Sequence, residues 1–220
     1  MAINPTLDLE KELFASGVKF LGGVDEVGRG AIAGPVTVGV AVIDASVTDV
    51  PHGLRDSKLM SKSARVRIVE PTKEWVVDHA LGSATAEEID EIGIVNALRL
   101  AWTRAFEQLT HKPDHVILDG KHNWIAVPKS DLFDQHHDGI DIPVTMKIKA
   151  DAHCAVVAAA SVLAKVQRDD FMAQLAVDFP DFGWESNVGY GAAVHMAAIE
   201  KLGPTQFHRT SWNLPAGPEA

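Results

Sequence analysis

Cysteine is nearly absent from this chain of 220 residues, which contains only Cys154. A single cysteine excludes an internal disulfide, and no Cys/His pair stands at the spacing of a zinc site. Because Cys154 lies in an alanine-rich, apolar stretch, we expect a buried and unreactive thiol there, not a nucleophile.

Long hydrophobic runs are missing too, although 46% of the residues are hydrophobic. No run approaches the roughly eighteen uncharged residues that a membrane span requires. The N-terminal MAINPTLDLEKE carries acidic residues where a secretory signal carries basic ones. We therefore expect a cytoplasmic protein without membrane contact, and a length that suits one α/β domain over residues 1–220.

Basic residues are scarce, with 20 Lys and Arg against 30 Asp and Glu and a net charge of −10. This balance argues against a protein that coats nucleic acid non-specifically, because phosphate neutralisation drives such binding. A local basic groove is still compatible with it, as is an ordinary solvated surface. The basic residues in question are Lys58, Lys62, Arg65, Arg67, Lys121, Lys129, Lys147, Lys149, Lys165 and Arg168.

A segment rich in glycine, GVDEVGRGAIAG at residues 23–34, combines two carboxylates with an arginine. Asp25 and Glu26 follow an apolar run and lead into the tripeptide Gly28–Gly30. Carboxylate oxygens suit hard divalent cations, and glycines beside an arginine let the main chain approach a polyanion. Since strand side chains alternate, we predict that the strand 21–24 ends or bulges at Asp25, so that both carboxylates face one site. A hairpin with a solvated acidic turn is the alternative.

Strands joined by helices are predicted for the rest of the chain. The predicted elements are a second strand within 32–43, a helix over 61–69, a strand over 75–83, a helix with a capping box at Thr85 and Glu88 and an apolar stripe over 94–109, strands over 115–118 and 143–148, a central apolar helix over 153–177 and an amphipathic helix over 192–202. An early hairpin followed by strands that helices connect indicates an α/β fold with a mixed sheet flanked by helices. We expect helical structure from about residue 180 and a frayed tail over 213–220.

Two further carboxylates stand where strands end, Asp119 in ILDG and Asp151 at the junction of a strand and a helix. If the strand ends converge, four carboxylates share one site and raise one another's pKa unless cations neutralise them. Ligation by oxygen alone points to Mg²⁺ or Mn²⁺, and two such ions about 3.5 to 4 Å apart would activate water and stabilise a leaving oxygen. A helix N-cap role for Asp151 and a simple strand-end turn at Asp119 are the alternatives.

Five motifs, taken in order, resemble the ribonuclease HII family, the bacterial type 2 ribonucleases H. They are GVDEVGRGAIAGPV, the DSK of 56–58, the ILDG ending at 120, KADAHCAVVAAASVLAKVQRD at 149–169 and the GYGAAVHMAAIEKLGPTQFHR ending at 209. The resemblance covers residues 22–212 and implies a ribonuclease H-like mixed sheet of five strands flanked by helices, with a C-terminal helical extension. Arg29, where the related ribonuclease HIII has lysine, favours this family.

The resemblance implies an endonuclease that cuts the RNA strand of RNA/DNA hybrids and cuts at single ribonucleotides embedded in duplex DNA, as ribonucleotide repair requires. The metal ligands of the family, for two Mg²⁺ or Mn²⁺ ions, fall on Asp25, Glu26, Asp119 and Asp151. The substrate contacts fall on Gly28, Arg29, Gly30, Tyr190, Ser57, Lys58, Ser161 and Lys165. In the family the GRG element reads the 2′-hydroxyl at the RNA-to-DNA junction, and the tyrosine stacks on the following deoxyribose. We expect a monomer whose partners are these nucleic acids.

Several of these positions have a structural alternative. Ser161 could bond to its own helix backbone, and Lys165 could pair with Asp169 four residues on. The dipeptide His208–Arg209 matches the family, and we assign it a phosphate-binding or a structural role. Val188 departs from the family pattern, which often has lysine before GYG.

Two other functions compete with this hypothesis. One is a different nuclease or a recombinase on a similar sheet, which would not need a 2′-hydroxyl. The other is a non-catalytic module that binds hybrids, which the loss of an acidic position would favour; all four are present.

Overall fold

The protein is described by a computed structural model that covers residues 4–126 and 140–218. In chain order its elements are α1 Asp8–Ala15, β1 Phe20–Val27, β2 Val36–Asp44, α2 Lys62–Trp75, β3 Asp78–Ala84, α3 Ala86–Gln108, β4 His115–Asp119, β5 Val144–Lys147, α4 Ala150–His153, α5 Ala155–Asp178, α6 Trp184–Asn187 and α7 Ala193–Leu202. Within the described ranges, five strands form one sheet in the order β3-β2-β1-β4-β5. Strand β1 is antiparallel to β2 and parallel to β4, which confirms the mixed sheet of an α/β fold.

The two faces of the sheet bury separate apolar clusters, as the alternation along β2 shows. Val36, Val38, Val40 and Val42 pack in the cluster beneath α3, whereas Ala41 and Ile43 pack in the cluster beneath α5. A period of two along a strand with both faces covered produces this division. The sheet is therefore a central layer between helices.

Helix α5 lies unusually close to the sheet, and its alanines make that approach feasible. A Cβ atom placed on Gly39 of β2 would lie 2.6 Å from the carbonyl oxygen of Ala160, and one on Gly23 of β1 would lie 2.4 Å from that of Val156. Residues 155–164 of α5 are all buried, as predicted for a central apolar helix. The helix thus runs directly beneath the acidic end of β1.

The boundaries of several elements differ from the predictions. Helix α2 continues to Trp75 through Pro71, because the loss of one backbone donor is tolerated in a helix whose Ile68 and Thr72 are buried. The central helix is divided, since Cys154 adopts an extended conformation between α4 and α5. The capping box of α3 is present as predicted, with Thr85 and Glu88 bonded to each other's backbone.

Cys154 is fully buried, and burial raises the pKa of its thiol to about 12, as expected for an unreactive cysteine. Among the helices of the described ranges, none has the length and apolarity to cross a membrane. Residues 219–220 of the predicted tail, and Lys129 of the basic set, lie outside the described residues.

Candidate active site

Four carboxylates are delivered to one edge of the sheet by three elements. Asp25 and Glu26 belong to β1, Asp119 is the last residue of β4, and Asp151 lies in α4 just after β5. Because β1, β4 and β5 run parallel, their carboxyl ends meet at the same edge, where α/β sheets usually bind ligands.

The predicted end of β1 at Asp25 is wrong. The strand continues through Asp25, Glu26 and Val27, which pair in unbroken register with Gly39, Val38 and Thr37 of β2. The pairing with β4 does stop earlier, at Val24 and Leu118. Beyond that point the β4 side of β1 is open, and the charge of Glu26 still raises the pKa of Asp25 although the two residues alternate along the strand.

Asp25 is the most deeply buried of the four acids and is only 4% exposed. Burial, aided by the charges of Glu26 and Asp151, raises its pKa to about 7 against the opposing effects of Lys58 and Ser161. The Ser161 hydroxyl lies near enough to Asp25 to lower its pKa, and it shares a hydrogen bond of 2.8 Å with the Ser57 hydroxyl. Ser161 therefore links α5 to the acidic cluster and does not bond to its own helix backbone.

Glu26 and Asp119 belong to the same electrostatic cluster. Burial raises the pKa of both carboxyls, and the charge of Asp119 adds to the rise at Glu26. Asp119 Oδ1 accepts a hydrogen bond of 2.7 Å from the backbone N–H of Ala150, the first residue of α4. Asp119 thus serves the start of α4, and the N-cap alternative for Asp151 is wrong because Lys149 occupies the N-cap position.

Lys58 places a positive charge inside this acidic cluster. Its Nζ lies 2.7 Å from Asp151 Oδ2, and the side chain of Asp56 accepts a bond from the Lys58 backbone, which fixes the turn Ser57–Leu59. Partial burial opposes the charge, but the bond to Asp151 and the charge of Asp25 outweigh it and raise the pKa of Lys58. The DSK segment therefore contributes directly to the charge balance of the site.

The donor set suits a hard divalent cation, because it consists of carboxylate oxygens that destabilise one another when charged. In residues 4–126 and 140–218, no three His, Cys, Asp or Glu side chains are arranged as a ready-made ligand set. Ligation by these acids would therefore require side-chain adjustment, including at Asp151, which Lys58 now engages.

The GRG tripeptide adjoins the carboxylates and Tyr190. Gly28 is buried at φ +81°, which favours glycine, whereas Arg29 and Gly30 are exposed. Arg29 Nη1 lies 3.2 Å from Glu26 Oε1. A Cβ atom on Gly30 would lie 4.0 Å from Cε1 of Tyr190, whose side chain is 40% exposed. An acidic cluster, an exposed peptide loop and an accessible aromatic ring thus form one continuous surface.

Lys165 is engaged elsewhere. Its Nζ lies 2.6 Å from Asp169 Oδ1, the pairing given as its structural alternative, and Arg65 lies 3.4 Å from the other oxygen of Asp169. This group of charges connects α2 to α5. The ion pair gives Lys165 a structural contact that does not involve the acidic cluster.

Sequence reasoning misassigned Arg168 and left two alternative roles for His208–Arg209. Arg168, counted with the basic surface, is 1% exposed, and Arg209 and His208 are 0% and 2% exposed. Burial excludes the phosphate-binding role for His208–Arg209 and leaves the structural one. No local signal marked Arg168 as buried, because its neighbours Gln167, Asp169 and Asp170 are polar.

Comparisons with known proteins agree on one family. The family model described as Ribonuclease HII matches residues 22–214. The ribonuclease HII of Streptomyces avermitilis is 47% identical over 209 residues, which are 94% of this chain and 83% of that protein. The crystal structure of the ribonuclease H2 from Pyrococcus horikoshii OT3 is 26% identical and covers 88% of this chain and 94% of its own, with a TM-score of 0.69. The crystal structure of Bst-RNase HIII in complex with Mn2+ is 20% identical, with a TM-score of 0.64 over 89% of this chain and 67% of its own, and is a likeness of fold.

Proposed function

The chain belongs to the ribonuclease HII family and is an endoribonuclease of the ribonuclease H type, and from this premise we propose that it cuts duplex DNA on the 5′ side of the RNA-to-DNA junction at single embedded ribonucleotides. The same site would cut the RNA strand of longer RNA/DNA hybrids. The proposed role is the removal of ribonucleotides from DNA.

One observation carries the proposal: the carboxylate cluster and the GRG loop are joined through the contact of 3.2 Å between Arg29 and Glu26. A group that does chemistry on a phosphodiester and a group that inspects a sugar must act on adjacent nucleotides. Only the 2′-hydroxyl distinguishes RNA from DNA at a given position, and exposed peptide groups beside the acids supply suitable hydrogen-bonding partners.

We assign metal ligation to Asp25, Glu26, Asp119 and Asp151, and the donor chemistry favours Mg²⁺ or Mn²⁺. When bound, two such ions would activate the attacking water and stabilise the leaving oxygen. Ser161 would orient Asp25 from below, and Asp119 would keep its position through the N–H of Ala150. Lys58, once released from Asp151, would be free to contact a phosphate oxygen.

Tyr190 and the GRG loop would determine where the cut falls. The exposed ring of Tyr190 lies beside Gly30, so it would stack on the sugar that follows the ribonucleotide read by the loop. Ser57 would act through Ser161, with which it shares a buried hydrogen bond, and Lys165 would act as part of the ion pair with Asp169.

The test is cleavage of a labelled DNA duplex with one ribonucleotide, with Mg²⁺, with Mn²⁺ and with EDTA. We expect a single cut at the 5′ side of the ribonucleotide with either metal and no cut of the all-DNA duplex. Asp25→Asn and Asp119→Asn should each lower the rate by about a thousandfold or more, because the charge is lost and the shape is kept. Asp170→Asn, at an exposed acid of α5, is the matched control and should cleave normally. Full activity of a pure, folded Asp25→Asn protein would exclude the assignment.

A further inference from the structure

Two arginines are buried without a carboxylate partner. Arg209 is 0% exposed and Arg168 is 1% exposed, and among the described residues neither forms a salt bridge. Burying a cation in this way is costly unless hydrogen bonds replace its water. Here the replacements are backbone carbonyl oxygens, which belong to the loop between β1 and β2 except for that of Val188.

Arg209 forms hydrogen bonds with the backbone of the GRG tripeptide. Its Nη2 donates to the carbonyl of Gly28 at 2.6 Å, and its Nη1 donates to the carbonyl of Arg29 at 2.8 Å. The guanidinium also donates to Gly34 and stacks on Trp212, whose ring centroid lies 4.8 Å away. The position of two successive peptide groups is thus fixed by one planar side chain.

The opposite ends of these two peptide groups are unoccupied. The carbonyls of Gly28 and Arg29 share their peptide units with the N–H groups of Arg29 and Gly30. Neither N–H has a hydrogen-bond partner among the described residues, and both residues are exposed. In a trans peptide the C=O and N–H point in opposite directions, so carbonyls held on the protein side leave the N–H groups facing outward.

A cation that donates to a carbonyl oxygen also makes the N–H of the same peptide group a stronger donor, because hydrogen bonds in series polarise one another. The guanidinium therefore both orients and polarises two adjacent donors. Neighbouring backbone bonds support the arrangement, since the N–H of Gly34 donates to Phe207 at 2.8 Å and that of Arg209 donates to Ile32 at 2.9 Å.

We propose that Arg209 is a positioning residue for sugar recognition, which presents the N–H groups of Arg29 and Gly30 as a paired donor to the oxygen of a ribonucleotide 2′-hydroxyl. The inference rests on the proposed function. It assigns the discrimination between ribose and deoxyribose to a side chain that never touches the substrate.

The experiment compares the binding of two duplexes, identical except for one ribonucleotide, by fluorescence anisotropy in EDTA, where metal-dependent cleavage cannot proceed. The measured quantity is the ratio of the two dissociation constants. In Arg209→Lys the fork that holds two carbonyls is lost, so this ratio should fall by about five- to tenfold relative to the wild type.

Leu98→Ala is the control for lost stability. Leu98 is 0% exposed, as Arg209 is, but it belongs to the apolar cluster beneath α3 and not to the groups that hold the tripeptide. Arg168 is unsuitable as a control, because Gly28 packs against its guanidinium and the Tyr190 ring lies 5.9 Å from it. We expect Leu98→Ala to lose thermal stability to a similar degree while keeping more of the ratio. A purely structural role for Arg209 would make the two variants indistinguishable and would overturn the inference.

If Arg209→Lys does not fold, Trp212→Leu takes its place, since it removes the ring that holds the guanidinium and keeps the guanidinium itself. A folded variant at either position that retains the wild-type ratio would overturn the inference. A wild-type protein without preference for the ribonucleotide duplex would instead overturn the sugar-reading part of the proposed function, so the two failures are distinguishable.

Discussion

Arg29 connects the carboxylate cluster to the GRG loop, through its side chain on one side and its backbone on the other. Its side chain contacts Glu26 of the carboxylate cluster, and its carbonyl is held by Arg209. The side chain is 47% exposed, so the ion pair itself adds little to folding stability. A substitution at this position therefore tests function with little risk to the fold.

In Arg29→Lys we expect cleavage at a single ribonucleotide to fall by about tenfold, because lysine keeps the charge but loses the planar fork. Binding of Mn²⁺, measured by calorimetry, should change much less, since lysine can still approach Glu26. Cleavage of a long hybrid serves as the comparison. An equal loss on hybrid and junction substrates would argue against a special role at the junction.

For single residues, the sequence was sufficient to group the four acids at one edge of the sheet, but not to identify the side chains that contact them or the GRG loop. Asp25, Glu26, Asp119 and Asp151 lie at or near the carboxyl ends of strands, and their residue type indicates the chemistry that we propose for them. The contact between Lys58 and Asp151 joins residues 93 positions apart, and that between Arg209 and Arg29 joins residues 180 apart. Such contacts depend on how the helices pack, which no local pattern records.

Helix α7 carries a buried histidine network that supports the loop of Tyr190. The Thr205 N–H donates to His208 Nδ1 at 2.9 Å, so His208 donates through Nε2 to His195 Nε2 at 3.0 Å. His195 Nε2 also accepts from Trp184, and His195 Nδ1 donates to the Tyr190 carbonyl at 2.9 Å. This order of donors requires both rings to be neutral.

Stability should therefore fall as acid protonates these rings. Burial, aided by the charge of His195, lowers the pKa of His208 to about 4 from 6.5, and burial lowers that of His195 as well. The unfolded chain then binds protons first, so the stabilisation is complete above pH 6.5 and is lost as the pH falls toward 4. We expect a loss of about 1 to 3 kcal/mol, measured by urea unfolding across this range.

His208→Gln is the reference for that measurement, because the titration of Asp25 changes the stability in the opposite direction as the pH falls. The raised pKa of Asp25 makes the protein more stable at low pH, so the wild-type profile alone mixes the two effects. The difference between variant and wild type isolates the histidine. A difference that does not change with pH would contradict the neutral network.

Elements were predicted well where periodicity is strong and poorly where tertiary structure decides. The long helices α3 and α5 and the succession of strands along the chain follow from apolar patterns and the capping box at Thr85. The continuation of β1 through its acids does not, because it depends on pairing with β2 while the β4 side is free. The predicted end of the strand at Asp25 was wrong because pairing with β2 alone extends β1 to Val27.

Across the whole molecule, the fold maintains a cluster of acids that repel one another. Divalent cations would relieve that repulsion in the folded chain, whereas the unfolded chain has no such cluster to fill. We expect Mn²⁺ or Mg²⁺ at about a hundred times the dissociation constant to add about 2.7 kcal/mol, or roughly 5 to 10 °C in melting temperature.

Differential scanning fluorimetry with and without EDTA measures this gain. Asp119→Asn should abolish most of it, and K⁺ at the same ionic strength should not reproduce it. A protein that cleaves with metal but whose melting temperature does not change with metal would contradict the prediction that the ions bind the folded chain in preference to the unfolded one.

The sequence separation between Arg209 and the GRG loop has a consequence for the order of synthesis. The acids of β1 and β4 are synthesised by residue 119, and Asp151 follows 32 residues later. The guanidinium that fixes Gly28 and Arg29 arrives about 180 residues after the loop it holds. The peptide groups proposed to read ribose therefore lie next to the acids of β1 in the sequence, whereas the side chain proposed to position them is among the last to be synthesised.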